Sequence, residues 1–261
     1  MNFHVITGLP RSGSTLLCNI LNQRSDSFAS STSALPAALS SISTLLSNSP
    51  EETSRLANIA GTEENHLRIG RSLIETWHDT DAINIFDKSR GWSSQSLMLR
   101  SVAPESGIIV TVRDPRNILA SIERQNAKTG LYNTGKSLFE ICSKHVSDEG
   151  LIGAPIKGIE DLIRRNIPNV CFVEYEKLCS NPSEILRNIE LVCKLEPHVY
   201  DFNNVESLAT DLDVLYRNKY LHQTSSKVET SYSDWKDTIS DDIANGTIER
   251  WPFFSKTFNY V

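Results

Sequence analysis

The strongest constraint on this chain lies in residues 3–18, Phe3-His-Val-Ile-Thr-Gly-Leu-Pro-Arg-Ser-Gly-Ser-Thr-Leu-Leu-Cys18. An apolar, β-branched run (Val5, Ile6, Thr7) meets Gly8 and Pro10, and a helix-compatible run follows from Ser14 to Asn22. Strand, tight loop and helix is the arrangement in which backbone N–H groups and a helix N-terminus hold a phosphate. Gly8 and Gly13 stand at the glycine positions of a Walker A loop and Thr15 at its Ser/Thr position, but Ser14 takes the place of the lysine. The positive charge sits instead at Arg11. A nucleoside triphosphatase without that lysine lacks its main contact to the β- and γ-phosphates. The loop therefore reads as a phosphate site of another kind, or else as an ordinary glycine-rich turn.

Beyond the loop, the pattern alternates. Ser25–Pro50 is rich in Ser and Thr, and Ala34–Leu46 within it has helical apolar spacing. Helices are expected over Glu51–Ala60 and Glu63–His78. Ala82–Phe86 is strand-like and ends at Asp87-Lys-Ser-Arg-Gly-Trp92, with a helix following to Val102. Gly107–Arg113 is the clearest strand, continuous and β-branched as in a sheet covered on both faces. Asp114-Pro115 opens a helix to about Gln125. Helical patterns follow over Ser137–His145 and Lys157–Asn166, then a strand over Val170–Tyr175, and Asn181-Pro182 caps and opens another helix. Strands alternating with helices predict a doubly wound parallel α/β sheet of the P-loop type, with helices on both faces. Its crevice should lie beyond the carboxyl ends of the strands. Arg11, Lys88, Arg113 and Tyr175 fall at or just past such ends.

Composition narrows the class. The 261 residues suffice for one α/β domain, and with no internal repeat or boundary signal, residues 1–261 read as a single domain. A formal net charge of −6 argues against a nucleic-acid or other polyanion surface. No apolar run is long enough to span a membrane, and the chain starts directly in a strand without a signal-peptide pattern. Cys18, Cys142, Cys171, Cys179 and Cys193 show neither CxxC nor zinc-type spacing, which reads as reduced thiols in a cytoplasmic protein. No carboxylate or His/Cys cluster offers a metal site, and none is expected.

Pro10-Arg-Ser-Gly-Ser-Thr-Leu-Leu17 resembles the 5′-phosphosulfate loop of sulfotransferases that use 3′-phosphoadenosine 5′-phosphosulfate (PAPS), which also lacks the Walker lysine. Val112-Arg-Asp-Pro-Arg-Asn-Ile-Leu-Ala-Ser121 is similar to their 3′-phosphate motif, an arginine at a strand end with a serine eight positions on. A guanidinium fork and a hydroxyl donor suit a phosphate; otherwise Arg113 pairs with Asp114 or another carboxylate and Ser121 faces solvent. Asp87-Lys88 resembles the Asn-Lys-Asp-Pro segment of tyrosylprotein sulfotransferases, whose lysine faces the transferred group. The alternative is a solvated lysine paired with Asp87. Phe172-Val-Glu-Tyr-Glu-Lys-Leu178 is like the superfamily's Tyr-Glu-x-Leu segment, which brings the tyrosine to the nucleotide. Ser225-Ser-Lys-Val-Glu-Thr-Ser231 is similar to a loop of tyrosylprotein sulfotransferases, and Asp234-Trp-Lys236 to a segment of cytosolic ones; a plain solvated loop with a helix start at Asp234 reads equally well.

The resemblance, closest to tyrosylprotein and bacterial-type sulfotransferases, implies a PAPS-dependent enzyme that releases 3′-phosphoadenosine 5′-phosphate (PAP). Its sulfuryl group would pass to a hydroxyl or amine, with a small alcohol, sugar or lipid as acceptor. It assigns Arg11 and Lys88 to catalysis. Nucleotide binding falls to Arg11, Ser12, Gly13, Ser14, Thr15, Arg113, Ser121, Tyr175, Ser226 and Lys227, with Ser12–Thr15 acting through backbone groups. One segment departs from the pattern. Where tyrosylprotein sulfotransferases carry Gly-Glu-Glu-Thr and draw a glutamate base from it, this chain has Ala29-Ser-Ser-Thr-Ser33. No base is carried over, and His78, Asp87, His145 and His222 stay open. The rival classes are a P-loop nucleotide kinase or NTPase and a non-catalytic PAP-binding module.

Overall fold

A computed structural model of the chain describes residues 1–48, 62–129, 135–207, 226–229 and 234–261. Five strands, β1 (Asn2–Gly8), β2 (Ser27–Ala29), β3 (Asn84–Lys88), β4 (Ile108–Val112) and β5 (Val170–Glu174), form one sheet in the order β2-β3-β1-β4-β5. Every pairing is parallel, with Ile6 beside Lys88, Gly8 beside Thr111 and Val112 beside Glu174. The sheet explains why the strands read as continuous apolar runs. Successive side chains point to opposite faces, and here both faces are covered.

Phe3, Val5, Ile85, Ile108, Val110 and Val112 belong to one core. It is closed by α2 (Leu35–Asn48), α3 (Thr62–Thr76), α4 (Ser96–Val102), α5 (Pro115–Thr129), α6 (Leu138–Val146), α7 (Gly153–Arg164), α10 (Asp241–Arg250) and α11 (Pro252–Thr257). Ile6, Phe86, Ile109, Cys171 and Val173 face the other core. There α1 (Ser14–Leu21), the short α8 (Tyr175–Ser180) and α9 (Pro182–Cys193) supply Leu17, Ile20, Leu178, Leu186 and Ile189. Each fully buried aliphatic side chain contributes about 1.5–3 kcal/mol.

Several expectations are corrected. The Ser/Thr-rich stretch contains β2, three residues at a sheet edge that leave no periodic signal. The strand expected over Ala82–Phe86 runs over Asn84–Lys88, because Asn84 is the residue that comes into register with Asn2. A 3-10 helix, Arg90–Ser94, precedes α4, and α7 begins at Gly153, four residues before Lys157. Tyr175 opens a helix instead of closing a strand. Asn181 precedes Pro182, but its side chain reaches Glu184 Oε2 and caps no backbone N–H. The helix start at Asp234 is a 3-10 turn, Trp235–Asp237. The helix expected over Glu51–Ala60 lies outside the described residues. No helix among the described residues is long and apolar enough to cross a membrane.

Chain direction locates the crevice. From β1 the chain leaves through α1 toward β2, and from β4 it leaves through α5 toward β5, on the opposite face and in the opposite direction. The carboxyl ends of β1 and β4 are therefore the switch point of the sheet, where open α/β folds leave room for a ligand.

Candidate active site

At the end of β1, Gly8 has φ 132°, and a Cβ there would sit 2.0 Å from the Thr111 carbonyl oxygen. Only glycine lets the loop rise this close to β4. Arg11 follows with φ 58° and Gly13, the N-cap of α1, with φ 82°. A left-handed arginine costs about 1–2 kcal/mol and needs outside support. Arg113 Nη1 supplies it by donating to the Arg11 carbonyl at 2.9 Å. Ser12 is fully buried, its hydroxyl 2.5 Å from the Leu9 carbonyl and 2.7 Å from Thr111 Oγ1. That hydroxyl shapes the loop, which leaves Ser12 its backbone N–H for a ligand. The first turn of α1 holds no acidic residue to offset its positive end.

Lys88 comes from β3. Its Nζ donates to Thr15 Oγ1 at 2.8 Å, so the cation absent from position 14 is supplied sideways by the neighbouring strand. It forms no pair with Asp87, which points to the opposite face and is wholly buried. Asp87 Oδ1 accepts from Trp92 Nε1 at 2.6 Å, and Oδ2 meets His78 Nε2 at 2.8 Å. Two of the candidate bases thus occupy each other. His145 is buried in α6, where burial lowers its pKa, and His222 lies outside the described residues. Residues 30–33 present hydroxyls and no carboxylate. Ser30 Oγ accepts from the Lys88 N–H, and Ser33 Oγ accepts from Trp77 Nε1.

On the β4 side, Arg113 is 6% exposed. Besides the Arg11 carbonyl it meets the Tyr175 ring, 4.3 Å from its centroid, and Glu176 Oε1, 4.0 Å from Nε. Its Nη2 makes no hydrogen bond to a described residue. Asp114 is not its partner, because Arg116 holds that carboxylate at 2.7 Å. The Tyr175 ring packs so closely on the loop that a Cβ at Gly13 would lie 2.6 Å from it, and burial pushes the phenol up to about 12. Arg11 Nε donates to Ser121 Oγ on α5 at 3.3 Å, across 110 residues. The two motifs therefore interlock: Arg113 holds the backbone of the first loop, and Arg11 of that loop reaches the serine of the second motif.

Arg124 was not foreseen. It lies one turn beyond Ser121 on α5, on the same side. It donates to Thr238 Oγ1 at 2.7 Å and the Asp234 carbonyl at 3.4 Å, and burial together with the nearby charge of Arg113 lowers its pKa. The three-residue spacing from Ser121 was the available signal. Asp234-Trp-Lys236 packs on α5, with Arg116 5.3 Å from the centroid of the Trp235 ring. Ser226 and Lys227 are exposed on a segment anchored to 202–205, through bonds from the Val205 N–H to the Ser226 carbonyl and from the Val228 N–H to the Phe202 carbonyl.

The residues brought together offer two separate ends of positive potential. A helix N-terminus and Lys88 stand at one end, Arg113 with an open nitrogen and Ser121 at the other, and Arg11 between them.

The model of the Sulfotransferase family matches residues 5–198. Among solved structures, the sulfotransferase domain from the Synechococcus PCC 7002 olefin synthase is 19% identical with a TM-score of 0.58, covering 97% of this chain and 94% of that one. The sulfotransferase domain from the curacin biosynthetic pathway is 15% identical with a TM-score of 0.55, covering 100% and 98%. A mouse sulfotransferase complexed with PAP is 13% identical with a TM-score of 0.51, covering 97% and 84%. At these identities the likeness is one of fold. No curated protein sequence matches the chain significantly.

Proposed function

The chain belongs to the sulfotransferase family, and on that premise we propose that it transfers the sulfuryl group of PAPS to a hydroxyl or amine of a small acceptor. PAPS supplies an activated sulfuryl group on a phosphate leaving group. Arg113 and Ser121 bind the 3′-phosphate, which separates this nucleotide from ATP. Backbone N–H groups of residues 12–15 and the Thr15 hydroxyl bind the 5′ end against the positive end of α1. Lys88, beside Thr15 Oγ1, neutralises charge that grows on the transferring oxygens, as fixed cations do in phosphoryl transfer. Arg11 braces both ends. With an acidic chain, a small alcohol, sugar or lipid hydroxyl suits the acceptor better than a sulfated polysaccharide.

The observation that supports this reading is the interlock: the Arg113–Arg11 carbonyl bond and the Arg11–Ser121 bond join the first loop to the segment after β4 at one switch point. A thermal-shift titration with PAP, adenosine 5′-phosphate (AMP) and ATP–magnesium tests it, since a ligand of the folded state raises Tm according to its concentration over Kd. PAP is expected to stabilise and ATP–magnesium to have no effect; stabilisation by ATP–magnesium alone would point to a kinase and sink the reading. One feature favours a second reading, a PAP-binding module without transfer: residues 30–33 carry no carboxylate, and Asp87 is engaged by His78 and Trp92. That module would bind PAP and transfer nothing to any acceptor offered.

A further inference from the structure

Glu176 sits at the start of α8, next to Tyr175 and across from Arg113, with a side chain 21% exposed. Both carboxylate oxygens are buried, and among the described residues neither closes a hydrogen bond of normal geometry, although the N–H groups of Glu176 and Asp114 face the carboxylate. Arg113 Nε, 4.0 Å away, is likewise buried without one. A buried carboxylate is normally tied down by two or more donors, because leaving one unsatisfied is costly. Glu176 instead stands close to a cation without closing on it. Structural ion pairs with good geometry are plentiful in the same molecule, such as Arg116–Asp114 at 2.7 Å. Burial raises the pKa of Glu176, opposed by its own N–H, by Arg113 and by the Asp114 N–H.

We infer that Glu176 is a positioning residue that competes with the nucleotide's 3′-phosphate for Arg113, holding the guanidinium against the Tyr175 ring while weakening its grip on the phosphate. This rests on the reading of Arg113 as the 3′-phosphate ligand. Arg113 is already committed through one Nη1 hydrogen to the Arg11 carbonyl, which leaves the other Nη1 hydrogen, Nη2 and Nε as donors, and Glu176 stands beside Nε. A carboxylate at this distance offsets part of the arginine's charge and repels an incoming dianion. In a sulfotransferase the nucleotide product carries the same 3′-phosphate as the donor. A counter-charge here lowers affinity for both, which favours product release.

The test is calorimetric titration of the full chain with PAP and with AMP, for wild type, Glu176→Gln and the double variant Glu176→Gln/Arg113→Ala. Removing the charge while keeping the shape should tighten PAP by roughly tenfold and leave AMP within about twofold, and the gain should vanish without Arg113. Looser PAP binding, or an equal change for both nucleotides, would make Glu176 a structural residue and overturn the inference. If wild type itself shows no preference for PAP over AMP, the 3′-phosphate reading fails, and this inference with it. Glu176→Asp withdraws the carboxylate while retaining its charge and guards against a glutamine variant that does not fold. Its PAP affinity should be at or modestly above that of wild type, and a loss would count against competition.

Discussion

The two sides of the crevice hold their cations differently. On the β4–β5 side Arg113 is almost fully buried and fixed by a carbonyl, an aromatic face and a nearby carboxylate. On the β3 side Lys88 is half-buried at a strand end and reaches the Thr15 hydroxyl. A preset arginine suits recognition of a group that does not change during the reaction, because its ordering is complete before binding. A flexible ammonium suits charge that shifts as a bond breaks, since it follows the oxygen that gains it. On the proposed function, binding falls to one side and chemistry to the other.

One substitution breaks that division on the binding side. Arg113→Ala should weaken PAP by about 10- to 100-fold, the weight of a charge-assisted phosphate contact, and remove the preference over AMP in calorimetry. An intact preference would place the 3′ site elsewhere. On the other side, Lys88→Ala should reduce transfer by about 100- to 1,000-fold, as loss of a transition-state donor does, while PAP affinity changes only a few-fold. Equal losses in binding and transfer would erase the contrast between the two sides. Gly13→Ala sharpens the dependence of both sides on the loop. A Cβ there meets the Tyr175 ring at 2.6 Å at a positive φ, so a destabilisation of about 1–3 kcal/mol is expected, read as a lower Tm together with weaker PAP binding. An unchanged Tm would show that the ring yields freely.

A pH effect concerns the opposite end of the sheet, where His4 is buried and held neutral. Its Nδ1 accepts from the Gly107 N–H at 3.0 Å, and burial lowers its pKa to about 4. The unfolded chain takes up the proton near the ordinary value of 6.5 and the folded chain does not. Stability should therefore fall as pH drops from about 6.5 toward 4, by a few kcal/mol at most. A Tm series across that range should show the decline, and His4→Gln should flatten it.

The sheet was legible because buried parallel strands carry continuous apolar runs, and the tight first loop because glycine spacing marks it. Arg113 and Ser121 were legible as a local pair eight residues apart. Their bonds to Arg11, more than a hundred residues away in sequence, were not, since nothing local encodes them. Glu176 beside Tyr175 carries no local signal for the same reason: its meaning depends on Arg113, which the neighbouring strand brings beside it. The Asp87–Lys88 pairing fails because both residues belong to β3, where neighbours point to opposite faces, whereas the sequence pattern ended the strand at Phe86. β2 was too short and too polar to show a period.

The most direct measurement is a crystal structure of the chain with PAP. The 3′-phosphate is expected on Arg113 and Ser121 and the 5′-phosphate at the N-terminus of α1 beside Lys88. A nucleotide bound in the reverse sense, or away from the β1–β4 switch point, would contradict this placement.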